Sequence, residues 1–235
     1  MSETTELTIA REELLARLER LVGPGPITRL EEALTHSSFA NETSTPDNQR
    51  LEFLGDAVLG LCVSELLAEA QPEADEGKLT RMRSALVNAE ALATWARRVD
   101  LGSCIALGRG ATLGTERKQT NVLADAVEAI VAAVFEARGL SGARALVRDV
   151  VAGLLDRADS LAVRDPKSAL QELVQARRMA APTYRVVDVQ GAPHDHVFQV
   201  EVILGDRAIG RGEGRSKRLA ERAAAADALE QFKDI

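Results

Sequence analysis

Residues 50–60 read RLEFLGDAVLG. Leucine, phenylalanine, alanine and valine dominate the stretch, yet two acids, Glu52 and Asp56, interrupt them. Carboxylates rarely enter a protein core without a partner. On a helix their i, i+4 spacing puts both on one face and leaves the others apolar. The apolar character persists as far as Ala70 and stops before Pro72, which predicts a long helix over 51–70. A helix apolar on most of its surface belongs in the middle of a core, so this segment points to an all-helical domain built around it.

The flanking sequence agrees. Leu7, Leu14, Leu15, Leu18 and Leu21 recur at helical spacing, GPGP at 23–26 ends that helix, and a short one follows through Leu30 and Leu34. NETSTPDNQR (41–50) reads as a polar loop. Further helices are expected over 77–99, 120–138 and 141–156, with the glycine-rich LGSCIALGRGATLGT (101–115) between the first two. Only 3% of residues are aromatic, so the core must come from Leu, Val, Ile and Ala, a choice that favours helices. No alternation of the strand type precedes residue 160.

The pattern then changes. A polar segment over 157–166 ends in a proline and reads as a linker. A helix over 167–179 is followed by the alternating runs TYRVVDV and HVFQVEVIL and a third around 208–212. An alanine-rich helix, SKRLAERAAAADALEQF, closes the chain. The fold class is therefore multidomain: an all-α domain over 1–156, then a small α+β domain of order αβββα over 167–235.

No apolar run reaches membrane-spanning length without charges, and the acidic amphipathic start lacks the features of a leader. No membrane partner is expected. Cys62 and Cys104 sit in apolar surroundings as reduced core residues, which suits a cytoplasmic protein. The net charge of −7 hides an asymmetry. Residues 164–235 hold 12 Lys+Arg and 11 Asp+Glu, whereas residues 1–163 hold 17 and 25. The total therefore does not exclude a nucleic-acid partner for the C-terminal part.

A second apolar helix repeats the acidic interruption. NVLADAVEAIVAAVF (121–135) carries Asp125 and Glu128 at i, i+3. Glu52, Asp56, Asp125 and Glu128 would together supply four carboxylates and no histidine or cysteine, a donor set that selects Mg²⁺ or Mn²⁺ over zinc. Two divalent ions would balance the charge and suit in-line displacement at a phosphodiester. A bland alternative also fits: solvated acids, or acids answering Arg50, Arg81 or Arg83.

RLEFLGDAVL resembles the signature of the ribonuclease III family, and further matches follow in order. These are ALTHSS (33–38), EGKLTRMRSALV (76–87), LADAVEAIVAAVF (123–135) and the C-terminal αβββα unit. The resemblance implies a homodimeric, Mg²⁺-dependent endonuclease acting on double-stranded RNA, including ribosomal and messenger precursors. Its products would have 5′-phosphate and 3′-hydroxyl ends and a short 3′ overhang. It implies Glu52, Asp56, Asp125 and Glu128 as metal-site residues, with Asp56 and Glu128 catalytic. Gln49 departs from the pattern, because many members carry an acid there. Composition alone would bury Phe53 in a core; the resemblance instead implies that it packs across a homodimer interface, with Glu76 near the partner's site. His36 reads as a structural, hydrogen-bonded residue.

In GEGRSKRLAERAAA (212–225), glycines and Ser216 precede a helix whose first turn carries Lys217 and Arg218. A helix start with free amides and two cations suits a phosphate. The stretch is similar to the third motif of the double-stranded-RNA-binding domain, GAPHDHVF (191–198) to its middle turn, and the Gln171 region to its first helix. That implies Gln171 and His194 on ribose hydroxyls and Lys217 with Arg218 on phosphates. Glu221 stands where that motif commonly carries a third basic residue, which lowers the expected affinity. Two rivals stay open at this point: a non-catalytic duplex binder that kept the helical domain for dimerisation, and a carboxylate-bridged metal enzyme of bundle type. The latter would need a Glu-x-x-His pair that His36, His194 and His196 do not supply.

Overall fold

The computed structural model describes residues 3–109, 115–158, 165–191 and 196–233. The chain divides into two compact units, Met1–Ala162 and Val163–Ile235.

In the first unit, helices α1 (Glu3–Val22), α2 (Leu30–Ala33), α3 (Ser37–Thr43), α4 (Gln49–Ala70), α5 (Glu76–Val87), α6 (Ala89–Arg98) and α7 (Thr120–Leu155) surround one core. Two short 3₁₀ turns, Leu101–Cys104 and Glu116–Lys118, lie between α6 and α7. The stretch that decides the fold occupies α4, which packs along α7 at the centre. From Val122 to Val134 every residue of α7 is buried except Asp125 and Glu128.

Helix ends follow local chemistry. His36 Nδ1 accepts the Ser38 amide at 3.2 Å and starts α3, so His36 has the structural role expected of it. Asp75 Oδ1 caps α5 through the Lys78 amide at 2.6 Å. The single helix expected over 77–99 is in fact two. Asn88 leaves the helical region (φ −71°, ψ 159°) and its side-chain oxygen accepts the Ala91 amide at 2.9 Å, capping α6. An internal asparagine therefore acts as a stop and a start together. The expected division between 120–138 and 141–156 corresponds to Gly139, whose φ of 65° breaks α7. The polar loop begins later than expected, because Asn41, Glu42 and Thr43 finish α3.

The sole tryptophan, Trp95, is 2% exposed and donates to Asp149 Oδ2 at 2.8 Å, which fastens α6 to the second half of α7. Among the described residues no helix is long and apolar enough to cross a membrane.

The second unit runs α8 (Pro166–Ala176), β1 (Thr183–Gln190), β2 (Val197–Leu204), β3 (Arg207–Gly214), α9 (Lys217–Lys233). The sheet is antiparallel in the order β1-β2-β3, with register shifts at Val186/Asp188 and Val202/Ile203. Helix α8 ends three residues before the expected Met179, because Arg178 turns left-handed (φ 56°). Gly210, Gly212 and Gly214 alternate along β3 and face α9. A Cβ on Gly212 would lie 2.1 Å from the Ala224 amide nitrogen, and one on Gly210 would lie 2.5 Å from the Ala224 carbonyl oxygen. A glycine every second strand residue meets Ala220, Ala224 and Ala228 every fourth helix residue, so the backbones approach closely over a core that holds eight buried side chains among the described residues.

Candidate metal centre and nucleic-acid interface

Glu52 in the first turn of α4 and Asp125 and Glu128 in α7 converge. One carboxylate oxygen from each lies within 4.8 Å of the other two, and all three residues are half-buried. The convergence depends on Gly55. A Cβ there would fall 1.8 Å from the Glu128 carbonyl oxygen and 2.5 Å from its carbonyl carbon, so α4 touches the α7 backbone at one of the converging acids. Sequence reasoning passed over Gly55. The available signal was a glycine between two acids in an otherwise strong helix-forming run, a position that costs roughly 1 kcal/mol unless something needs the space.

Burial raises all three acids, and like charge adds to it at Glu52 and Glu128. Burial, then Asp56, Glu52 and Asp125, push Glu128 up to about 7. Glu52 is raised by burial and then by Asp125, Asp47 and Asp56, so every charge moving these two groups is another acid. Asp125 is raised by burial, with His36 pulling slightly the other way. The arginine alternative finds no support at Glu52 or Glu128: Arg83 donates to Ser64 Oγ at 3.1 Å, and among the described residues no basic side chain offsets either acid. Three converging oxygen donors with unbalanced negative charge fit a hard divalent cation.

Asp56 stands apart from that group. It is exposed, one turn beyond Glu52, yet close enough to be the strongest charge acting on Glu128. Gln49 is exposed at the start of α4.

Phe53, between the two acids, is 84% exposed, which corrects the composition-based placement in a core. Leu61, two turns on along the same face, is 49% exposed. Glu76 is exposed in the first turn of α5, accepts Thr80 Oγ1 at 2.9 Å, and lines a shallow pocket with Ser64, Leu67 and Arg83.

In the second unit Gln171, Ser216, Lys217 and Arg218 are all exposed, and Ser216 Oγ accepts the Leu219 amide at 3.3 Å to cap α9. His194 lies outside the described residues. Glu221 does not stand as an uncompensated acid: Lys167 Nζ donates to its Oε2 at 2.6 Å. Arg222 and Asp165 form a second pair at 3.0 Å across the same helix junction. Gln171 and Lys217 therefore lie one turn from the two ends of the Lys167–Glu221 pair.

Comparison with known proteins gives the same division. Residues 27–154 match a family model described as Ribonuclease-III-like, and residues 166–232 match one described as Double-stranded RNA binding motif. A curated relative named Ribonuclease 3 from Myxococcus xanthus (strain DK1622) is 46% identical over 207 residues, covering 86% of this chain and 80% of that one. Another of the same name, from Dehalococcoides mccartyi, is 39% identical over 94% of this chain and 95% of its own length. Among solved structures, a nuclease domain of ribonuclease III from Campylobacter jejuni superposes with a TM-score of 0.53. It is 33% identical and covers 58% of this chain and 95% of that one; it was described for flexibility in a region involved in dimer formation. With both family models and near full-length relatives agreeing with the converging acids, the chain belongs to the ribonuclease III family of double-stranded-RNA endonucleases.

Proposed function

We propose that the chain is a homodimeric, Mg²⁺-dependent endonuclease acting in the cytoplasm on duplex regions of ribosomal and messenger RNA precursors. Residues 1–156 carry the reaction, 157–166 link, and 167–235 hold the duplex. The observation that carries the reading is the meeting of Glu52, Asp125 and Glu128 across α4 and α7, where no basic side chain among the described residues acts on Glu52 or Glu128. Glu52, Asp56, Asp125 and Glu128 would hold Mg²⁺, with Mn²⁺ able to replace it. Bound there, a divalent ion supplies Lewis-acid stabilisation of the charge that builds on phosphodiester oxygens. Glu128, pushed up to about 7 by burial and then by the neighbouring acids, would give up its proton to take part in that binding. Asp56, on the exposed side, faces the scissile strand. Two sites in a dimer, one per strand, give 5′-phosphate and 3′-hydroxyl ends with a short 3′ overhang.

The non-catalytic rival is disfavoured, because three acids gathered together, with Asp56 one turn away, cost stability without metal. Incubation with a long RNA duplex separates the readings. Discrete short products are expected with Mg²⁺ and none without it; intact duplex in both cases would leave only a binder.

Phe53 supports the dimer. An aromatic ring 84% exposed on a helix whose other faces are buried is an anchor for a second copy. Phe53→Glu is expected to weaken self-association by about 30-fold or more, read by sedimentation, without loss of helicity. An unchanged dimer would remove Phe53 from the interface.

Lys217 and Arg218 supply phosphate contacts, supported by their place in the first turn of a serine-capped helix. Gln171 and His194 reach ribose hydroxyls. Neutralising Lys217 and Arg218 together is expected to flatten the slope of log K against log salt by about 1.8, at about 0.9 per phosphate. An unaltered slope would move the RNA-binding face elsewhere.

A further inference from the structure

We propose that Lys167 and Glu221 act as a charge brake on RNA affinity. Glu221 holds Lys167 neutralised beside the phosphate-binding turn, and release of that ammonium strengthens duplex binding. The inference rests on the reading above that the first turn of α9 faces RNA.

Three elements fix one ammonium group. Lys167 lies in the first turn of α8, its Nζ donates to Glu221 Oε2 on α9 at 2.6 Å, and it sits 4.4 Å from the ring centroid of Tyr184 on β1. A lysine clamped between a carboxylate and an aromatic face has already lost much of its rotamer freedom. Both side chains keep partial contact with water, at 36% and 27% exposure, so the pair can be reached from solvent. Glu221 is one turn after Lys217 and on the same face of α9. The Arg222–Asp165 pair at 3.0 Å spans the same junction.

These four charges sum to zero, and exposed Arg215, Lys217 and Arg218 stand next to them along the chain. Binding to a polyanion scales with net counterion release, so a paired lysine adds almost nothing to it. Glutamine at 221 has nearly the same shape, still offers Lys167 an acceptor, and leaves Tyr184 in place. It changes one thing, which is that the cation is no longer cancelled.

The test is equilibrium binding of the full-length chain to a blunt RNA duplex of about 16 base pairs, in EDTA so that no cleavage runs, across a salt series. Glu221→Gln is expected to steepen the salt slope by about 0.9 and to tighten binding several-fold at low salt. Lys167→Gln strands Glu221 and is expected to do the reverse. The double variant Lys167→Gln/Glu221→Gln is neutral again and returns to the wild-type slope. Opposite single effects that cancel in the double variant are the mark of charge balance. If both single variants weaken binding alike, or if Glu221→Gln leaves the slope unchanged, the pair is only a brace between helices and the proposal is overturned. Lys217→Gln/Arg218→Gln runs as the reference. If it too leaves the slope unchanged, it is the assignment of the RNA face that has failed; a flattened slope there with an inert Glu221→Gln defeats the brake alone.

Discussion

Glu128→Gln abolishes duplex cleavage and leaves RNA binding at the wild-type level; that is the largest effect expected of any single substitution. Glutamine keeps the shape but loses the charge proposed to hold a divalent ion, and the expected loss in turnover is roughly 10³-fold or greater. Unchanged turnover with Mg²⁺ would remove Glu128 from the metal site. Without metal the same variant is expected to be more stable than the wild type, and the sign follows from the pKa. In the folded chain Glu128 is pushed up to about 7 from an ordinary 4.5, so folding favours its protonated form. That contribution is full below pH 4.5 and is lost as pH rises through about 7. Glutamine stays neutral throughout. Metal-free Glu128→Gln should therefore match the wild type near pH 4.5 and exceed it near pH 8 by about 1–2 kcal/mol, the shift being discounted for contact with water. Urea unfolding in EDTA at the two pH values measures this. A residue with a purely structural role would lose stability instead.

Gly55→Ala is expected to cut cleavage by about 10²-fold without touching any acid. The added methyl would lie 1.8 Å from the Glu128 carbonyl oxygen, a distance no packed pair of atoms tolerates, so α4 and α7 must separate. Separation by about 1 Å at this crossing moves Glu52 away from Glu128, and misplacement on that scale costs about 10²-fold. Overpacking a buried helix crossing costs a further 1–3 kcal/mol or so in stability. Weaker metal binding, measured by calorimetry, should accompany the loss of rate, while duplex affinity stays unchanged because the binding unit is separate. Gly153→Ala is the control, since its methyl would meet open space within the second half of α7. If Gly55→Ala retains full activity, the close approach does not position the acids.

Much of this was legible in the chain. Leu51 to Ala70 is apolar on most faces, and that alone predicts a central helix; α4 occupies the centre of the first unit. Gly139 separates two helical patterns because a residue with freedom at positive φ ends one helix and lets the next begin. Asn88 did not announce itself. Its side chain competes for backbone hydrogen bonds only when the chain leaves the helix there, and composition cannot say when it will. The four acids could be named from their spacing within two apolar helices.

What they do in space could not be read from that spacing. A periodicity of 3.6 tells which residues share a face of one helix and says nothing of which faces meet. Gly55 decides that, by letting two backbones touch, and the contact gathers Glu52, Asp125 and Glu128 while leaving Asp56 outside. Phe53 is a further case: hydrophobicity places it inside, but packing had already filled the core from the other faces of α4 and left the ring in water. Glu221 looked like a missing cation in a basic motif, and only the approach of α8 supplied Lys167 to answer it. The sequence by itself determined the elements, their order and the acids, because those follow from local preference and apolar pattern. The tertiary structure decided which charges meet, because that depends on contacts between segments far apart in the chain.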